Sequence, residues 1–369
     1  MIRIVHIIND LGRGGAENML YKILPNNQKT ETEHIIISLK NEDFYAEKIR
    51  EKGHKVYCLN INSNNIFNRF KKIKKIINQA DLVDSWLYHS DLLAFIFAKI
   101  ICKKKLIWNV RHSNLERKSN KFTTLLVVKL NSLISRKVDL IRFNSFKSKN
   151  VHLDYGYCKK RVEVIDNGFD LELLYFDLQS RNKLRKELLF TQDDFVAISV
   201  GRWDVQKDYP TLIKSISLAR EKIPNIKLIL IGNQLENSNK ELMDLIVENN
   251  LNDIVYPLGS KSNIKDYLSA ADVYISSSIG ESFSNSIGEA MATELNCIVT
   301  DVGDSARIVG EHGYVVPIKN PEAIAISLKK ISKYGNSRNP LMRKRVKENF
   351  EINAIRTKFE QSYEKLLRE

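Results

Sequence analysis

Short runs of apolar residues alternate along the chain with longer segments in which apolar residues recur every three or four positions. The short runs predict β-strands and the periodic segments predict helices. In the first half, strands are predicted at Ile2–Ile8, His34–Leu39, Lys55–Leu59, Leu82–Trp86 and Leu106–Val110. A second series is predicted at Phe195–Val200, Ile226–Ile231, Ile254–Leu258, Val273–Ser277 and Cys297–Thr300. This alternation indicates an α/β protein whose parallel strands carry helices on both faces.

The length of 369 residues favours two domains, because a single core rarely extends over so many residues. The two strand series predict two doubly wound, Rossmann-like domains that face each other across a cleft. The turn at Asn167–Asp170 marks the expected boundary and gives domains at residues 1–170 and 171–350. A helix over residues 351–369 is expected to pack back towards the first domain. Ligands of such folds bind outside the carboxyl ends of the strands.

The composition is that of an ordinary globular protein, but the distribution of charge is uneven. The net charge is +14. Residues 1–170 hold 31 Lys and Arg against 17 Asp and Glu, whereas residues 171–369 hold 27 of each kind. The basic first half favours an anionic surface or a large anionic substrate, with nucleic acid as the competing partner.

No segment of the sequence predicts a membrane span or a secretory leader. The longest apolar stretch, Leu92–Cys102, is short and interrupted by Lys99. The chain begins directly with a strand pattern. The four cysteines have no metal or redox spacing and lie at Cys58, Cys102, Cys158 and Cys297. We therefore expect a cytoplasmic protein with reduced thiols.

The segment Ile66–Ile77 is basic and amphipathic, with apolar residues on one helical face at positions 66, 70, 73 and 77. One interpretation is a helix that packs on the core and exposes a solvated basic back. The other is docking to an anionic membrane. The two interpretations are compatible.

Two stretches of the first half could contribute to a ligand site. Gly14 and Gly15 follow the first predicted strand and precede a helix, a position where the backbone can approach an anion closely. The stretch is not a GxGxxG fingerprint, and an ordinary strand-to-helix turn is equally consistent with it. His112 follows the strand Leu106–Val110, where a lone histidine can be structural or catalytic.

The second half combines fixed cations with two carboxylates. Gly201, Arg202 and Lys207 follow the strand Phe195–Val200, and a guanidinium with an ammonium suits a phosphate. Glu281 precedes the next polar loop and helix, and Glu289 lies inside that helix. Cations and helix amides suit a diphosphate while carboxylates suit sugar hydroxyls, so the combination favours a nucleotide-sugar. Solvated charges or a glycosidase-like carboxylate pair are the alternatives. The chain has no Asp-x-Asp and no metal-ligand spacing, so no metal site is predicted.

Taken together, these motifs resemble the retaining glycosyltransferases of family 4, which have the GT-B fold. The resemblance extends over almost the whole chain. It is carried by Gly14–Glu17, Ser85–Leu93, Trp108–Ser113, Val164–Asp170, Gly201–Asp208, Gly280–Met291 and Thr300–Asp304. The first-half motifs are similar to a subgroup that builds bacterial surface polysaccharides. Glu294 and Asn296 depart from the family, which often has Gly and Pro at these positions.

The resemblance implies a role for each candidate residue. Arg202 and Lys207 would hold the leaving diphosphate, and Gly201 would lie beside them. Glu289 would bind the ribose and Glu281 the sugar hydroxyls. Backbone amides of three successive residues would face the distal phosphate and the sugar: Phe283, Ser284 and Asn285. His112 would contact the transferred sugar, and Gly14 and Gly15 would lie near the phosphate or the acceptor.

The sequence therefore predicts a glycosyltransferase, of hexosyltransferase type, that uses no cofactor and no metal. Its donor would be a nucleotide-sugar, most simply a UDP-sugar, and its acceptor a glycan or a polyprenyl-linked glycan. We expect a peripheral protein on the inner face of the plasma membrane that binds no nucleic acid. A nucleotide-sugar epimerase of the same fold and a basic nucleic-acid-binding protein are the alternatives.

Overall fold

A computed structural model describes residues 1–26, 32–60, 65–117, 120–335 and 338–369. The chain divides into two compact units. The first unit comprises Met1–Gly168 and Ile352–Glu369, and the second comprises Phe169–Glu351.

The first unit is built on a sheet of seven parallel strands: β1 (Ile2–Ile8), β2 (Thr32–Ser38), β3 (Lys55–Cys58), β4 (Leu82–Trp86), β5 (Lys105–Val110), β6 (Leu140–Phe143) and β7 (Val162–Val164). Their order in the sheet is β3-β2-β1-β4-β5-β6-β7. The helices between them are α1 (Gly15–Ile23), α2 (Phe44–Glu51), α3 (Ile66–Asn78), α4 (Tyr88–Ala94) with a π-helical continuation (Phe95–Ile101), α5 (Phe122–Ile134) and α6 (Phe146–Tyr155). The central strands are buried on both faces, as expected for a parallel sheet between two helical layers.

The second unit contains a sheet of six parallel strands: β8 (Phe195–Val200), β9 (Ile226–Ile231), β10 (Val255–Pro257), β11 (Val273–Ser276), β12 (Asn296–Thr300) and β13 (Tyr314–Val316). Their order in the sheet is β10-β9-β8-β11-β12-β13. The helices are α7 (Leu178–Glu187), α8 (Tyr209–Arg220), α9 (Lys240–Glu248), α10 (Ile264–Ala270), α11 (Asn285–Ala292), α12 (Ser305–Val309), α13 (Pro321–Ser332) and α14 (Pro340–Phe350).

Both sheets reverse their strand order beside their first strand. In the first unit β1 lies between β2 and β4, and in the second unit β8 lies between β9 and β11. In each unit the loop that follows the middle strand, β1 or β8, therefore borders a crevice at the carboxyl edge of the sheet. This crevice is the ligand-binding position of doubly wound folds.

The last helix, α15 (Ile352–Arg368), packs on the first unit although it follows the second in sequence. Ile355 and Phe359 are buried in the core with residues of β1 and β4. The hydroxyl of Tyr363 donates a 2.5 Å hydrogen bond to the buried Asp84 carboxylate. The chain changes unit between Gly168 and Phe169, because the Phe169 ring already lies in the core of the second unit.

Three strands were not predicted from the sequence: β6, β7 and β13. β7 and β13 have only three residues each. β6 contains Arg142, whose guanidinium is fully buried and held by a 2.6 Å contact with Glu163. A charged residue in the middle of a short apolar run hides the strand pattern.

Candidate active site

The loop after β8 is held close to its own helix by a glycine. A Cβ at Gly201 would lie 3.1 Å from the Tyr209 hydroxyl oxygen and 3.2 Å from Lys207 Cε, so a side chain there would crowd both residues. Asp208 is the N-cap residue of α8 and accepts hydrogen bonds from the amide and the hydroxyl of Thr211. This cap fixes the turn, and the Lys207 side chain is directed back across Gly201.

Lys207 and Glu281 form an ion pair although they are separated by 74 residues. Lys207 Nζ lies 2.5 Å from Glu281 Oε1, and the same oxygen accepts a 2.8 Å hydrogen bond from the Ser278 hydroxyl. The two side chains are 21% and 12% exposed, so the pair is partly withdrawn from water. An interaction at this depth is stronger than one between solvated surface charges.

Further hydrogen bonds join the loops after β8, β11 and β12. The Ser277 hydroxyl donates to the Lys207 carbonyl at 2.8 Å, and the Ile279 amide donates to the Gln206 carbonyl at 2.8 Å. From the β12 side, the Thr300 hydroxyl donates to the Ser278 carbonyl at 2.5 Å. The three loops therefore form one connected surface at the carboxyl edge of the sheet.

The N-terminus of α11 opens onto this surface. Ser284 is the N-cap residue, but its hydroxyl makes no capping hydrogen bond. Amides in the first turn of a helix without a side-chain cap suit an anionic ligand. The Phe283 side chain is 6% exposed and stacks on Phe169 with ring centroids 6.2 Å apart, so only its backbone can serve a ligand.

Glu289 lies in α11 five positions beyond Ser284 and is half-buried. Its neighbour Gly288 lets the helix approach the core, because a Cβ there would lie 2.0 Å from the Phe169 ring. Asn285 is the first residue of the helix and is also half-buried. The second unit thus carries its predicted site residues on two loops, after β8 and β11, and on the helix α11.

Arg202 is the most exposed of these residues. Its side chain is 63% exposed, and its Nε donates a 2.9 Å hydrogen bond to Asp204. Burial alone would raise the pKa of Asp204, but hydrogen bonds from the Gln206 amide and from Arg202 outweigh it and hold that pKa below its usual range. Asp204 therefore stays ionised and keeps Arg202 at the edge of the surface, where a phosphate could exchange with it.

In the first unit, Gly14 and Gly15 lie at the start of α1, directly after β1. A Cβ at Gly14 would lie only 2.1 Å from Glu17 Oε2, because the Glu17 carboxyl folds back over the helix N-terminus. Burial raises the pKa of Glu17 to about 7, and the neighbouring Asp10 carboxylate adds to the rise. A phosphate at this helix start would have to displace the Glu17 carboxyl.

His112 also belongs to the first unit and lies two residues beyond β5. Its carbonyl accepts a 2.8 Å hydrogen bond from the Ser148 hydroxyl, and its ring lies 6.4 Å from the Tyr88 ring. The preceding Arg111 stacks over Trp86 at 4.4 Å and donates to Asn167 at 2.6 Å. Burial lowers the pKa of Arg111 to about 9. Gly14, Gly15 and His112 thus follow strands of the same sheet, with β4 between β1 and β5.

Several residues of the site were not singled out from the sequence. Ser278 and Gly303 support Glu281, Asp204 holds Arg202, and Glu17 covers Gly14. A loop serine and an aspartate two residues from an arginine carry no distinctive sequence signal. Among the described residues, no group of three His, Cys, Asp or Glu side chains is arranged to hold a metal ion.

Comparison with known proteins extends the geometric evidence. Residues 13–173 match the family model Glycosyltransferase Family 4, and residues 180–349 match Glycosyl transferases group 1. The chain is 27% identical over 338 residues to the N-acetylgalactosamine-N,N'-diacetylbacillosaminyl-diphospho-undecaprenol 4-alpha-N-acetylgalactosaminyltransferase of Campylobacter jejuni, covering 87% of this chain and 88% of that protein. It is 26% identical over 320 residues to the capsular polysaccharide biosynthesis glycosyltransferase CapM of Staphylococcus aureus, covering 82% of this chain and 83% of that protein.

Among solved structures, the complex of Anabaena Alr3699/HepE with UDP-glucose superposes with a TM-score of 0.85 at 19% identity, covering 99% of this chain and all of that one. Two doubly wound units of this kind define the GT-B fold, which confirms the predicted fold class. The chain belongs to family 4 of the glycosyltransferases, the group 1 enzymes, and it is a glycosyltransferase.

Proposed function

We propose that this enzyme transfers a sugar from a UDP-sugar to a glycan or polyprenyl-linked glycan in the synthesis of bacterial surface polysaccharide, with retention of the anomeric configuration. The names of its relatives support this proposal. One acts on a diphospho-undecaprenol-linked sugar, another serves capsular polysaccharide biosynthesis, and HepE was crystallised with UDP-glucose.

The observation that carries the proposal is the Lys207–Glu281 pair at the carboxyl edge of β8 and β11. It places a partly buried ammonium 2.5 Å from a carboxylate, in loops joined to the start of α11. A ligand with both a diphosphate and hydroxyl groups can use every one of these elements. The ammonium and the helix amides bind the diphosphate, while the carboxylate binds hydroxyl groups.

Each residue has a role in this proposal. Arg202 leaves Asp204 and, together with Lys207, binds the diphosphate. Amides of Ser284 and Asn285 point towards the distal phosphate. Glu281 accepts hydrogen bonds from the sugar, and another carboxylate in α11, that of Glu289, accepts them from the ribose.

In the reaction, the bond between the anomeric carbon and the diphosphate oxygen breaks, and a bond to the acceptor hydroxyl oxygen forms on the same face. The acceptor's proton passes to the departing diphosphate. Arg202, Lys207 and the α11 amides stabilise the negative charge that develops on the leaving group. From the first unit, His112 contacts the transferred sugar, and Gly14 and Gly15 lie near the phosphate or the acceptor. Because these groups already supply positive charge, we infer that the reaction needs no metal ion and no cofactor.

We further infer that the enzyme works as a peripheral protein at the inner face of the plasma membrane. The support is the basic first unit together with the lipid-linked acceptor named for the C. jejuni relative. Anionic headgroups attract such a basic surface.

Donor binding can be tested by thermal-shift measurements against UDP-, GDP- and ADP-sugars. We expect stabilisation by at least one UDP-sugar. With the acceptor supplied, NMR of the product should show the donor's anomeric configuration. Isomerisation of the UDP-sugar in the absence of acceptor would support an epimerase instead, and salt-sensitive RNA or DNA binding without donor affinity would support a nucleic-acid-binding protein.

Lys207→Ala tests the leaving-group role. Loss of one positioned donor to a developing anion lowers turnover by about 10²–10³-fold in other enzymes, and we expect a loss of that order. Lys214→Ala is the matched control, because Lys214 lies exposed on α8 of the same unit. Near-normal transfer by Lys207→Ala would contradict the assignment.

A further inference from the structure

Helix α5 in the first unit exposes a row of large apolar side chains. Phe122 is 71% exposed, Leu126 50%, Leu130 42% and Leu133 66%. Their spacing of four, four and three residues places them along one face of the helix. We refer to these four residues as the α5 apolar face.

The opposite side of α5 buries two polar residues beside the core residue Val128. Asn131 is fully buried and donates a 2.9 Å hydrogen bond to the Tyr88 carbonyl. Ser132 is 5% exposed, and its hydroxyl donates to the Lys129 carbonyl. Val128 is buried in the core, but Phe122 and three of the four leucines of α5 are exposed, so much of its apolar surface faces away from that core. Exposed apolar surface of this extent indicates a contact with an apolar partner.

The charges on α5 and on the residues that directly flank it in sequence are all positive. Residues 117–138 contain six Lys and Arg and no Asp or Glu. Exposed cations lie before the helix at Lys121, within it at Lys129 and directly after it at Arg136 and Lys137. In the wider segment 65–161, 22 Lys and Arg stand against 6 Asp and Glu. The partner must therefore be both apolar and anionic.

We propose that α5 docks in the plane of an anionic lipid bilayer, with its apolar face among the acyl chains and the flanking cations at the phosphates. The biological purpose of this docking surface rests on the proposed function, because the surface would bring the enzyme to a lipid-linked acceptor. Thirteen helical residues span about 20 Å, too short to cross a hydrocarbon core of about 30 Å. In the part of the chain that the structure describes, no helix is long and apolar enough to cross a membrane. An interfacial orientation fits this length and this charge pattern.

This assignment differs from one of the two sequence-based interpretations of residues 66–77, that of membrane docking, and agrees with the other, that of a helix packed on the core. In α3 the residues Ile73, Ile76 and Ile77 are buried in the core, so most of its apolar face is occupied. Phe67 at its start is 79% exposed and can add to the contact. A second copy of the chain is a poorer occupant of the α5 apolar face, because two such basic surfaces repel each other.

Vesicle co-sedimentation of the full chain tests the proposal. The vesicles contain phosphatidylglycerol and phosphatidylcholine in a ratio of roughly 3:7, with pure phosphatidylcholine as the comparison. We expect binding to the anionic vesicles and weak binding to the neutral ones. The triple variant Leu126→Gln/Leu130→Gln/Leu133→Gln should partition at least about tenfold more weakly, because it loses three inserted side chains. A second triple variant, Lys129→Gln/Arg136→Gln/Lys137→Gln, should bind anionic vesicles about fivefold more weakly for each charge removed. Its binding to neutral vesicles should not change.

The matched control is Leu173→Gln/Leu178→Gln/Leu189→Gln, which removes three exposed leucines from the second unit. It should bind vesicles like the wild type. Equal binding by the α5 triple variant and the wild type would overturn the proposal, as would an equal loss in the control. A dimer in sedimentation velocity that the α5 triple variant abolishes, without any vesicle binding, would assign the face to a second copy.

Stabilisation by a UDP-sugar separates this inference from the proposed function. The two leucine triple variants should keep the wild-type thermal shift, because all six leucines lie outside the proposed donor site. Vesicle binding without any donor response in the wild type would refute the proposed function and leave the docking surface standing.

Discussion

Gly303 supports the backbone that carries Glu281, and Gly303→Ala should destabilise the second unit. Its φ is +59°, a left-handed conformation that costs an alanine about 1 kcal/mol. A Cβ there would lie 2.4 Å from the Glu281 carbonyl oxygen and 2.9 Å from the Ser282 carbonyl oxygen. Both contacts are with backbone, which cannot move aside as the end of a side chain can. Overpacking of this kind adds about 1–3 kcal/mol.

The expected loss in the free energy of unfolding is therefore about 2–4 kcal/mol, or a fall in Tm of about 5–15 °C for a unit of this size. Thermal unfolding followed by circular dichroism measures it. Gly335→Ala is the control, because Gly335 has a similar φ of +65° and no described heavy atom lies within 4 Å of the added Cβ. Gly335→Ala should lower the free energy of unfolding by only about 1 kcal/mol.

The difference between the two variants isolates the contact with Glu281. At a temperature where Gly303→Ala is folded, its sugar transfer should also fall, because the shifted carbonyl moves Glu281 relative to Lys207. Equal Tm values for the two alanine variants would show that an added Cβ at Gly303 does not press on the site loop.

Three further predictions concern stability. Leu189→Asn should raise the free energy of unfolding by about 0.5–1 kcal/mol in urea titration, because Leu189 is 89% exposed and left-handed, with φ +58°. Glu17→Gln should stabilise the protein at pH 8 but not at pH 4.5 in the same assay. Burial raises the pKa of Glu17 to about 7. The favourable contribution of Glu17 to the free energy of unfolding is therefore complete below pH 4.5 and is lost as the pH rises through 7. Asp272→Asn should lower the free energy of unfolding by about 3–5 kcal/mol, because the buried Asp272 carboxylate pairs with Arg181 and Arg185 at 2.6 Å each. A smaller loss of stability than that of an exposed Asp→Asn variant would contradict this prediction.

The fold could be predicted from local pattern where strands are buried on both faces. β8 and β9 have the predicted bounds, because each is a six-residue apolar run, interrupted only by Ser199 or by Lys227, that is followed by a glycine. β6 was not predicted because Arg142 lies in its centre. The burial of Arg142 depends on ion pairs with Glu163 and Asp84, which are distant in sequence. These ion pairs form only in the folded protein, so they leave no periodic pattern in the sequence.

The candidate site could be located from the sequence, but its internal pairing could not. The predicted residues of the second unit lie together because parallel strands end at one edge of a sheet. Lys207 and Glu281 were assigned separate ligands, whereas the structure pairs them with each other. Their separation of 74 residues gives the sequence no measure of their distance.

The departure from the family at Glu294 has a simple structural outcome. Glu294 adopts φ +65°, so the left-handed turn favoured by glycine is kept with a non-glycine residue. Such a conformation costs about 1 kcal/mol in a residue with a Cβ. This departure from the family therefore carries local strain at the turn after α11.

Calorimetric titration with UDP in the presence of EDTA tests the central proposal most directly, namely that Arg202, Lys207 and the start of α11 bind a diphosphate without a metal ion. The wild type should bind UDP under these conditions, and Arg202→Ala/Lys207→Ala should bind at least about tenfold more weakly, since each charged hydrogen bond contributes about 1.5–3 kcal/mol. Equal affinity of the two proteins, or binding by the wild type only after Mg²⁺ is restored, would contradict the account.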